Sequence, residues 1–362
     1  MKRSNISYLL LVAGMPLTAA AQHIRSGYVE KGVCGSDFTA ALGNWEKGQK
    51  WSDDDNFFIS RVKPRERFRN TATQVNPGLD ETNDKKLIFW VPANNEEFNA
   101  LPDGVFDSEV FPMWSYITHY GNWSTPLVRM PGGFADVAHK NGVPVSVVAS
   151  VPYGNISQAW KEALSRLTET GAEKLADYLL YYGVDGIGYN SEFYTTSDLV
   201  ISLCELHENT VHLMKERGNP LTEFIWYDGT NKDGAITFDR GLDIHNRTLW
   251  SYGDNIRTSL FLNYNWNFEK LLSKTVRKAE EYGRTPLDIY CGINMQGREP
   301  HNKSTEIWTL LEQYPVSIGL WGAHSETRFF ESRAEQGSSP ERHQRTYLNR
   351  ILNWFTNSSH NP

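Results

Sequence analysis

The sequence predicts an α/β chain folded as a (β/α)8 barrel of the TIM type, preceded by an irregular N-terminal extension. Three observations carry this reading. From residue 87 onward, eight short runs are apolar on both faces, the pattern of strands in a fully covered parallel sheet. Stretches with helical period separate them. No glycine-rich phosphate turn follows the first run, and the runs number eight, so a closed barrel is favoured over an open doubly wound sheet.

The strands fall at "LIFWVP" 87–92, "WSYITHY" 114–120, "VPVSVVAS" 143–150 and "VDGIGYNSE" 184–192. They continue at "TEFIWYDG" 222–229, "SLFLNYNW" 259–266, "LDIYCGINMQG" 287–297 and "SIGLWGAH" 317–324. The stretch 156–183, which follows the third strand segment, is long and amphipathic with helical period. A Ser-Asp cap signal opens the helix at 197, which runs into Gly-Asn at 218–219, and a further helix closes on Gly283. A final helix covers 341–357, and the connection 121–142 is long and irregular. Residues 22–86 are polar and turn-rich without a core of their own, so they are expected to pack on the barrel (87–362) as an extended lead-in.

The first 21 residues read as a cleavable leader. Lys2 and Arg3 precede an apolar run too short to span a bilayer, and small residues end at Ala21. That reading places the protein outside the cytoplasm, secreted or periplasmic, with cleavage after Ala21. No later stretch has the apolar length of a membrane span. Removing Lys2 and Arg3 takes the formal charge from −7 to −9. An acidic chain without basic clusters is a poor match for nucleic acid or an anionic membrane. Cys34, Cys204 and Cys291 are widely spaced and odd in number, which supports neither a disulfide framework nor a zinc ribbon. The histidines form no H-E-x-x-H, and His207 and His212 do not share a helix face. No metal or other cofactor is expected.

Aromatic residues make up 13% of the chain, with 12 Trp, and many stand at the ends of apolar runs. In a barrel the active site lies at the C-terminal mouth of the strands. The strand ends collect Trp90, His119, Tyr120, Asn190, Glu192, Trp226, Tyr227, Asp228, Asn263, Tyr264, Trp266, Asn294, Arg298, Trp321, His324 and Glu326. This ring is rich in amides, carboxylates and aromatics, the chemistry of a sugar site. At 184–192, strand period puts Gly188, Asn190 and Glu192 on one face. Conventional glycosidases need two carboxylates. Here an amide stands beside a single acid, and an amide can neither attack an anomeric carbon nor deprotonate water. A substrate with a 2-acetamido group removes the need for the second carboxylate, because its own carbonyl oxygen attacks and forms an oxazolinium. Glu192 is then the acid/base, with a pKa raised by burial. Asn190 orients the acetamide, and Tyr227 holds its carbonyl.

"DGIGYNSE" resembles the D-G-x-D-x-D-x-E signature of family 18 chitinases, with Gly188 and Asn190 in place of two aspartates. An Asn two residues before the Glu resembles family 85 glycoside hydrolases, the endo-β-N-acetylglucosaminidases. "MWSYITHYGNWSTP", "AHKNGVPVSVVAS", "IWYDG", "FLNYNW" and "DIYCGINMQGR" are similar to that family's segments in the same order, from about 87 to 326. The resemblance implies a barrel enzyme that cuts the β-1,4 bond of the GlcNAc-GlcNAc core of N-glycans with retention, acting on an N-glycan or glycoprotein. It implies Glu192 as acid/base, with Asn190 and Tyr227 on the acetamide. Phe238-Asp239 stands where the family has W-Q, and Asn294 where it has Asp in G-I-D. Substrate contacts are expected from Trp90, His119, Tyr120, Asp228, Phe238, Asn263, Trp266, Asn294 and Trp321. Two other readings stay open: a glycan-binding pseudoenzyme on the same barrel, and a chitinase-like hydrolase of GlcNAc oligomers.

Overall fold

The computed structural model describes residues 55–65, 85–91, 117–122, 132–149, 151–238, 241–253, 258–266, 269–294 and 310–321, with 42, 45, 46, 48, 114 and 130 singly. The leader, the final helix, Cys34, Asp239, Arg298, His324 and Glu326 lie outside the described residues. Eight parallel strands close into a barrel: β1 (Leu87–Val91), β2 (His119–Asn122), β3 (Val145–Ala149), β5 (Gly186–Tyr189), β7 (Phe224–Tyr227), β8 (Thr258–Leu262), β9 (Ile289–Asn294) and β10 (Ser317–Trp321). β10 pairs back onto β1, with Trp90 level with Trp321. β4 (Gly154–Asn155) and β6 (Phe193–Tyr194) form a separate two-stranded parallel ribbon above the mouth.

Helices α1 (Gly132–Lys140), α2 (Gln158–Tyr182), α3 (Ser197–Glu216), α4 (Arg247–Trp250) and α5 (Glu269–Glu281) follow their strands. The Ser157 hydroxyl caps α2 by accepting the Trp160 N–H at 3.2 Å. The long helix is not continuous: Gly171, at φ 84° and ψ 161°, breaks it into two segments, because only glycine takes that backbone readily. Thr196, rather than Ser197, caps α3. The second strand also differs from expectation. It starts at His119, where the sequence pattern has it ending, while Trp114 sits in a turn and packs on Tyr120 and Phe134. Among the described residues no helix is long and apolar enough to cross a membrane.

The main core lies between barrel and helices. It includes Val145, Val147, Ile187, Tyr189, Trp226, Leu260, Leu262 and Ile293 on the strands, facing Leu164, Leu179, Leu203 and Met214 on α2 and α3. His207 stacks on Phe224 at 4.3 Å and meets the Tyr189 hydroxyl at 3.0 Å. Burial lowers its pKa to about 3, so it packs as a neutral ring. Parts of the N-terminal extension join this core: Leu42, Trp45 and Phe58 are buried, and Trp45 meets the Tyr178 ring edge-on at 5.3 Å.

Asp185 knots the N-terminal ends of the strands together. Its carboxylate accepts from the Val145 N–H at 2.7 Å and the Asn219 amide at 2.7 Å, and it meets His139 Nε2 at 2.8 Å. Burial opposes charge on His139, but the Asp185 carboxylate outweighs it, and the imidazole pKa is raised. Beside this knot, Glu223 occupies the lower barrel interior. It accepts from the Ser259 hydroxyl and, at 3.1 Å, from the Tyr290 hydroxyl.

A second cluster fills the barrel interior: Ile88, Trp90, Val148, Ile225, Tyr227, Phe261 and Tyr290. Trp90 and Phe261 stack across the barrel with centroids 4.8 Å apart and planes 18° from parallel. Glycines on other strands make the space. A Cβ at Gly121 or Gly188 would stand 1.7 Å or 2.3 Å from the Trp90 ring, and one at Gly319 would stand 2.2 Å from Phe261. The room beneath Asn190 is therefore taken by the indole.

Gly188→Ala is expected to destabilise the fold by about 1–3 kcal/mol, the cost of overpacking a filled core. The same substitution in a Trp90→Leu background should cost less, because the clashing ring is gone. Thermal unfolding of the four proteins checks this coupling, and equal costs in both backgrounds would remove the indole from the account.

Candidate active site

The two-residue strand period carries inward-facing positions up to the mouth. On β5 the inward series Gly186 and Gly188 continues to Asn190, whose N–H donates to the Ala149 carbonyl at 3.1 Å. Glu192 follows two positions on, with its N–H on the Asn190 carbonyl at 3.1 Å. Both side chains are half-buried, and the Asn190 amide donates to the Glu192 carboxylate. Burial pushes the Glu192 carboxyl above its ordinary value, and the Asn190 hydrogen bond pulls the other way without cancelling it. This is the direction a general acid requires.

Tyr227 ends β7 and is buried. Its phenol is held well above the ordinary range, first by burial, then by the charges of Glu192 and Asp228. Tyr264, partly buried just beyond β8, donates its hydroxyl to the Tyr227 oxygen, and burial raises its own pKa further. Both phenols stay neutral, and the Tyr227 proton is left free to point into the site. Phe238 meets Tyr227 edge-on at 6.3 Å and sits at φ 46°, a left-handed backbone that costs a non-glycine residue roughly 1–2 kcal/mol. The loop from Gly229 to Phe238 keeps it there through the Thr237 N–H to Gly229 carbonyl bond at 2.9 Å.

The same loop braces the acid. The Ser191 hydroxyl donates to the Tyr227 carbonyl at 2.6 Å, and the Thr230 N–H donates to the Ser191 carbonyl at 2.6 Å. The Thr230 hydroxyl accepts the Phe193 N–H at 3.0 Å and donates to the Phe193 carbonyl at 2.6 Å. Gly229 permits this approach, since a Cβ there would lie 2.4 Å from the Ser191 oxygen. Ser191, Thr230 and Gly229 are absent from the residues expected of the site, because their role depends on a contact between segments nearly 40 positions apart, which no local pattern displays.

The structure brings together Asn190, Glu192, Tyr227, Phe238, Trp90 and Trp321. Trp321 and Asn294 are half-buried on one rung of β10 and β9, and Trp90 lies on the same rung of β1. Trp90 is buried as the floor, and its Nε1 has no hydrogen-bond partner among the described residues. Asn263 faces inward at the end of β8, but its side chain accepts the Asn265 N–H at 2.9 Å and holds its own turn.

Four expected contacts lie elsewhere. His119 begins β2, so it faces the lower barrel, 2.9 Å from the Ser146 hydroxyl and 3.6 Å from Glu223. Tyr120, one position on, points outward and packs 4.8 Å from Phe134. Trp266 is fully buried in the outer core, its Nε1 donating to the Gly292 carbonyl at 2.7 Å. Asp228 is buried and accepts from the Asn246 amide at 3.0 Å.

A closed eight-stranded barrel with one acid and one amide at its mouth has the arrangement of a glycoside hydrolase. Residues 93–361 match the family model described as glycosyl hydrolase family 85, and the chain belongs to that family. Cytosolic endo-beta-N-acetylglucosaminidase of Danio rerio is 27% identical over 222 residues, covering 58% of this chain and 30% of the relative. The Homo sapiens protein of the same name is 25% identical over 223 residues, covering 58% and 28%. The crystal structure of the glycoside hydrolase domain of Endo-D from Streptococcus pneumoniae R6 superposes with a TM-score of 0.64 at 21% identity, covering 85% of this chain and 48% of that one. The chain thus spans less than half the length of these relatives, and the structural likeness is one of fold. The two curated relatives correct the secretory placement drawn from residues 1–21. Both are named cytosolic, which conflicts with a secreted or periplasmic protein.

The raised Glu192 carboxyl has a consequence for stability. The folded state binds this proton more tightly than the unfolded chain, so Glu192 weakens the fold as pH rises through the ordinary and then the raised range. The Glu192→Gln variant should melt above the wild type at about pH 8 and match it at about pH 3. Melting curves at both pH values decide it; an unchanged difference would mean that the carboxyl is not desolvated.

Tyr264→Phe removes the donor that orients Tyr227, and turnover should fall roughly tenfold with little change in KM, the signature of an interaction made in the transition state. A change in KM alone would place Tyr264 in ground-state binding.

Proposed function

We propose that this chain is an endo-β-N-acetylglucosaminidase hydrolysing the β-1,4 bond of the GlcNAc-GlcNAc core of N-glycans. The mechanism is retaining and substrate-assisted, through an oxazolinium intermediate. One observation carries the mechanism: the half-buried Glu192, with a raised pKa, is hydrogen-bonded by Asn190, while the neighbouring carboxylate Asp228 is buried and accepts from Asn246. A single acid beside an amide fits a reaction whose nucleophile comes from the substrate. The curated relatives' name, endo-beta-N-acetylglucosaminidase, supports the bond and the sugar class.

In this reading Glu192 protonates the glycosidic oxygen as the acetamido carbonyl attacks the anomeric carbon from the opposite face. Asn190 accepts the acetamide N–H and holds that carbonyl in line. Tyr227, its oxygen engaged by Tyr264, donates its proton to the acetamido oxygen. Glu192, now a carboxylate, takes a proton from the water that opens the oxazolinium, and the original anomeric configuration returns. Trp90 forms the floor, Phe238 and Trp321 supply aromatic faces for sugar C–H surfaces, and Asn294 supplies a hydroxyl partner. The N-terminal lead-in (22–86) serves as a brace for the catalytic barrel (87–362).

Incubation with high-mannose, hybrid and complex N-glycopeptides, read by mass spectrometry, should yield peptide carrying one GlcNAc and glycan ending in one reducing GlcNAc. Release of glycan with both core GlcNAc residues would refute the assigned bond. Glu192→Gln should lower kcat by roughly 10³-fold while the fold is kept. Asn190→Ala should lose roughly 10²-fold or more in kcat, as when a preorganised polar group is removed from a developing charge. Near-normal kinetics of the Asn190 variant would exclude substrate assistance.

A further inference from the structure

We propose that Tyr153 and Tyr194, on the ribbon beside Glu192, form the platform that receives the departing half of the substrate: the GlcNAc that leaves still attached to its peptide. This inference rests on the reading of Glu192 as the acid.

Four large hydrophobic side chains are exposed among the described residues: Val137, Tyr153, Tyr194 and Ile244. The two aromatic ones share a single small element. Tyr194 is 46% exposed and Tyr153 70% exposed. β4 and β6 pair with Asn155 level with Tyr194 and Gly154 level with Phe193. The ribbon is sorted by face, since Phe193 and Gly154 are buried while Asn155 and Tyr194 are exposed. Gly154 donates its N–H to the Glu192 carbonyl at 2.8 Å, so Tyr153 and Tyr194 flank the backbone of the acid itself. At Gly154 the chain takes a φ of 82°, a turn that glycine adopts readily, and a Cβ there would meet nothing within 4 Å.

Position then assigns the ligand. An acid catalyst touches the glycosidic oxygen, the atom that leaves with the reducing-side sugar. Asn190 and Tyr227 lie on the barrel side of Glu192 and address the acetamide. The ribbon is tied to the acid's own carbonyl and carries two exposed rings, which fits it to the sugar that departs with the glycosidic oxygen. Its rings have two rotatable side-chain bonds each, and their apolar faces with polar tips suit stacking on a sugar while the hydroxyl reaches a polar neighbour. The clasp between Thr230 and Phe193 anchors the ribbon beneath, so the platform is preorganised.

The test compares two substrates that differ in whether a leaving sugar exists. One is an N-glycopeptide; the other is the glycan oxazoline, which has none. In the Tyr153→Ala/Tyr194→Ala double variant, kcat/KM for the glycopeptide should fall by about tenfold or more, the size of one good aromatic contact. Oxazoline hydrolysis should fall by less than about twofold. The corresponding Tyr→Phe variants should recover most of the glycopeptide rate. An equal fall on both substrates, or no fall on the glycopeptide, overturns the platform. If the wild type does not cut glycopeptide at all, the catalytic reading fails separately. Calorimetric titration of a GlcNAc-bearing peptide into wild type and double variant then decides: weaker binding to the variant sustains the platform, and equal binding or none to either protein overturns it.

Discussion

The stack of Trp90 on Phe261 is the contact on which the upper barrel depends. Both rings occupy space left by glycines on other strands, so the interior is closed by two aromatic planes spanning several strands. Below the stack lie Glu223, His119, Ser146, Ser259 and Tyr290, a hydrogen-bonded polar layer. Above it stand Asn190, Tyr227 and Trp321. The plug separates a layer devoted to folding from a layer available for chemistry. It also gives the mouth an apolar floor, above which burial favours the neutral carboxyl of Glu192.

Electrostatics at the site follow from burial set against hydrogen bonding. Glu192 is desolvated enough to favour its proton, yet the Asn190 amide keeps the carboxylate accessible, so the group can give a proton and take one back. Tyr227 and Tyr264 lie near this acid and are pushed toward neutrality by burial and by its charge. Three titratable groups thus share one environment in which the hydrogen-bond direction, Tyr264 to Tyr227, is set by the protein before any sugar arrives.

Much of this was legible in the sequence, and for a definite reason. Strands covered on both faces read as continuous apolar runs, so the barrel is visible without any contact being known. The strand period then placed Asn190 on the inner face and Tyr227 at the next strand's end, and both positions agree with the structure. Where the period was started from the wrong end it failed. His119 opens β2 instead of closing it, which sends it to the polar layer and turns Tyr120 outward. Trp266 lies past the end of β8, where alternation no longer constrains it, and its indole is spent on the Gly292 carbonyl. Asp228 found Asn246, a partner 18 positions away that no local pattern announces. The helix break at Gly171 was visible as a glycine but not as a kink, because glycine inside an amphipathic pattern is compatible with either.

The clasp between Ser191, Thr230 and Phe193 has a consequence for how such sites diversify. The loop that holds Phe238 against Tyr227 is the same loop that anchors the Glu192 backbone. The two features are therefore not separable modules in this barrel. A substitution in this loop that removes the Thr230 hydroxyl or adds a side chain at Gly229 also disturbs the backbone that seats Glu192. Segments 190–195 and 227–238 form one inheritable unit, and exchange between members of the family has to move them together.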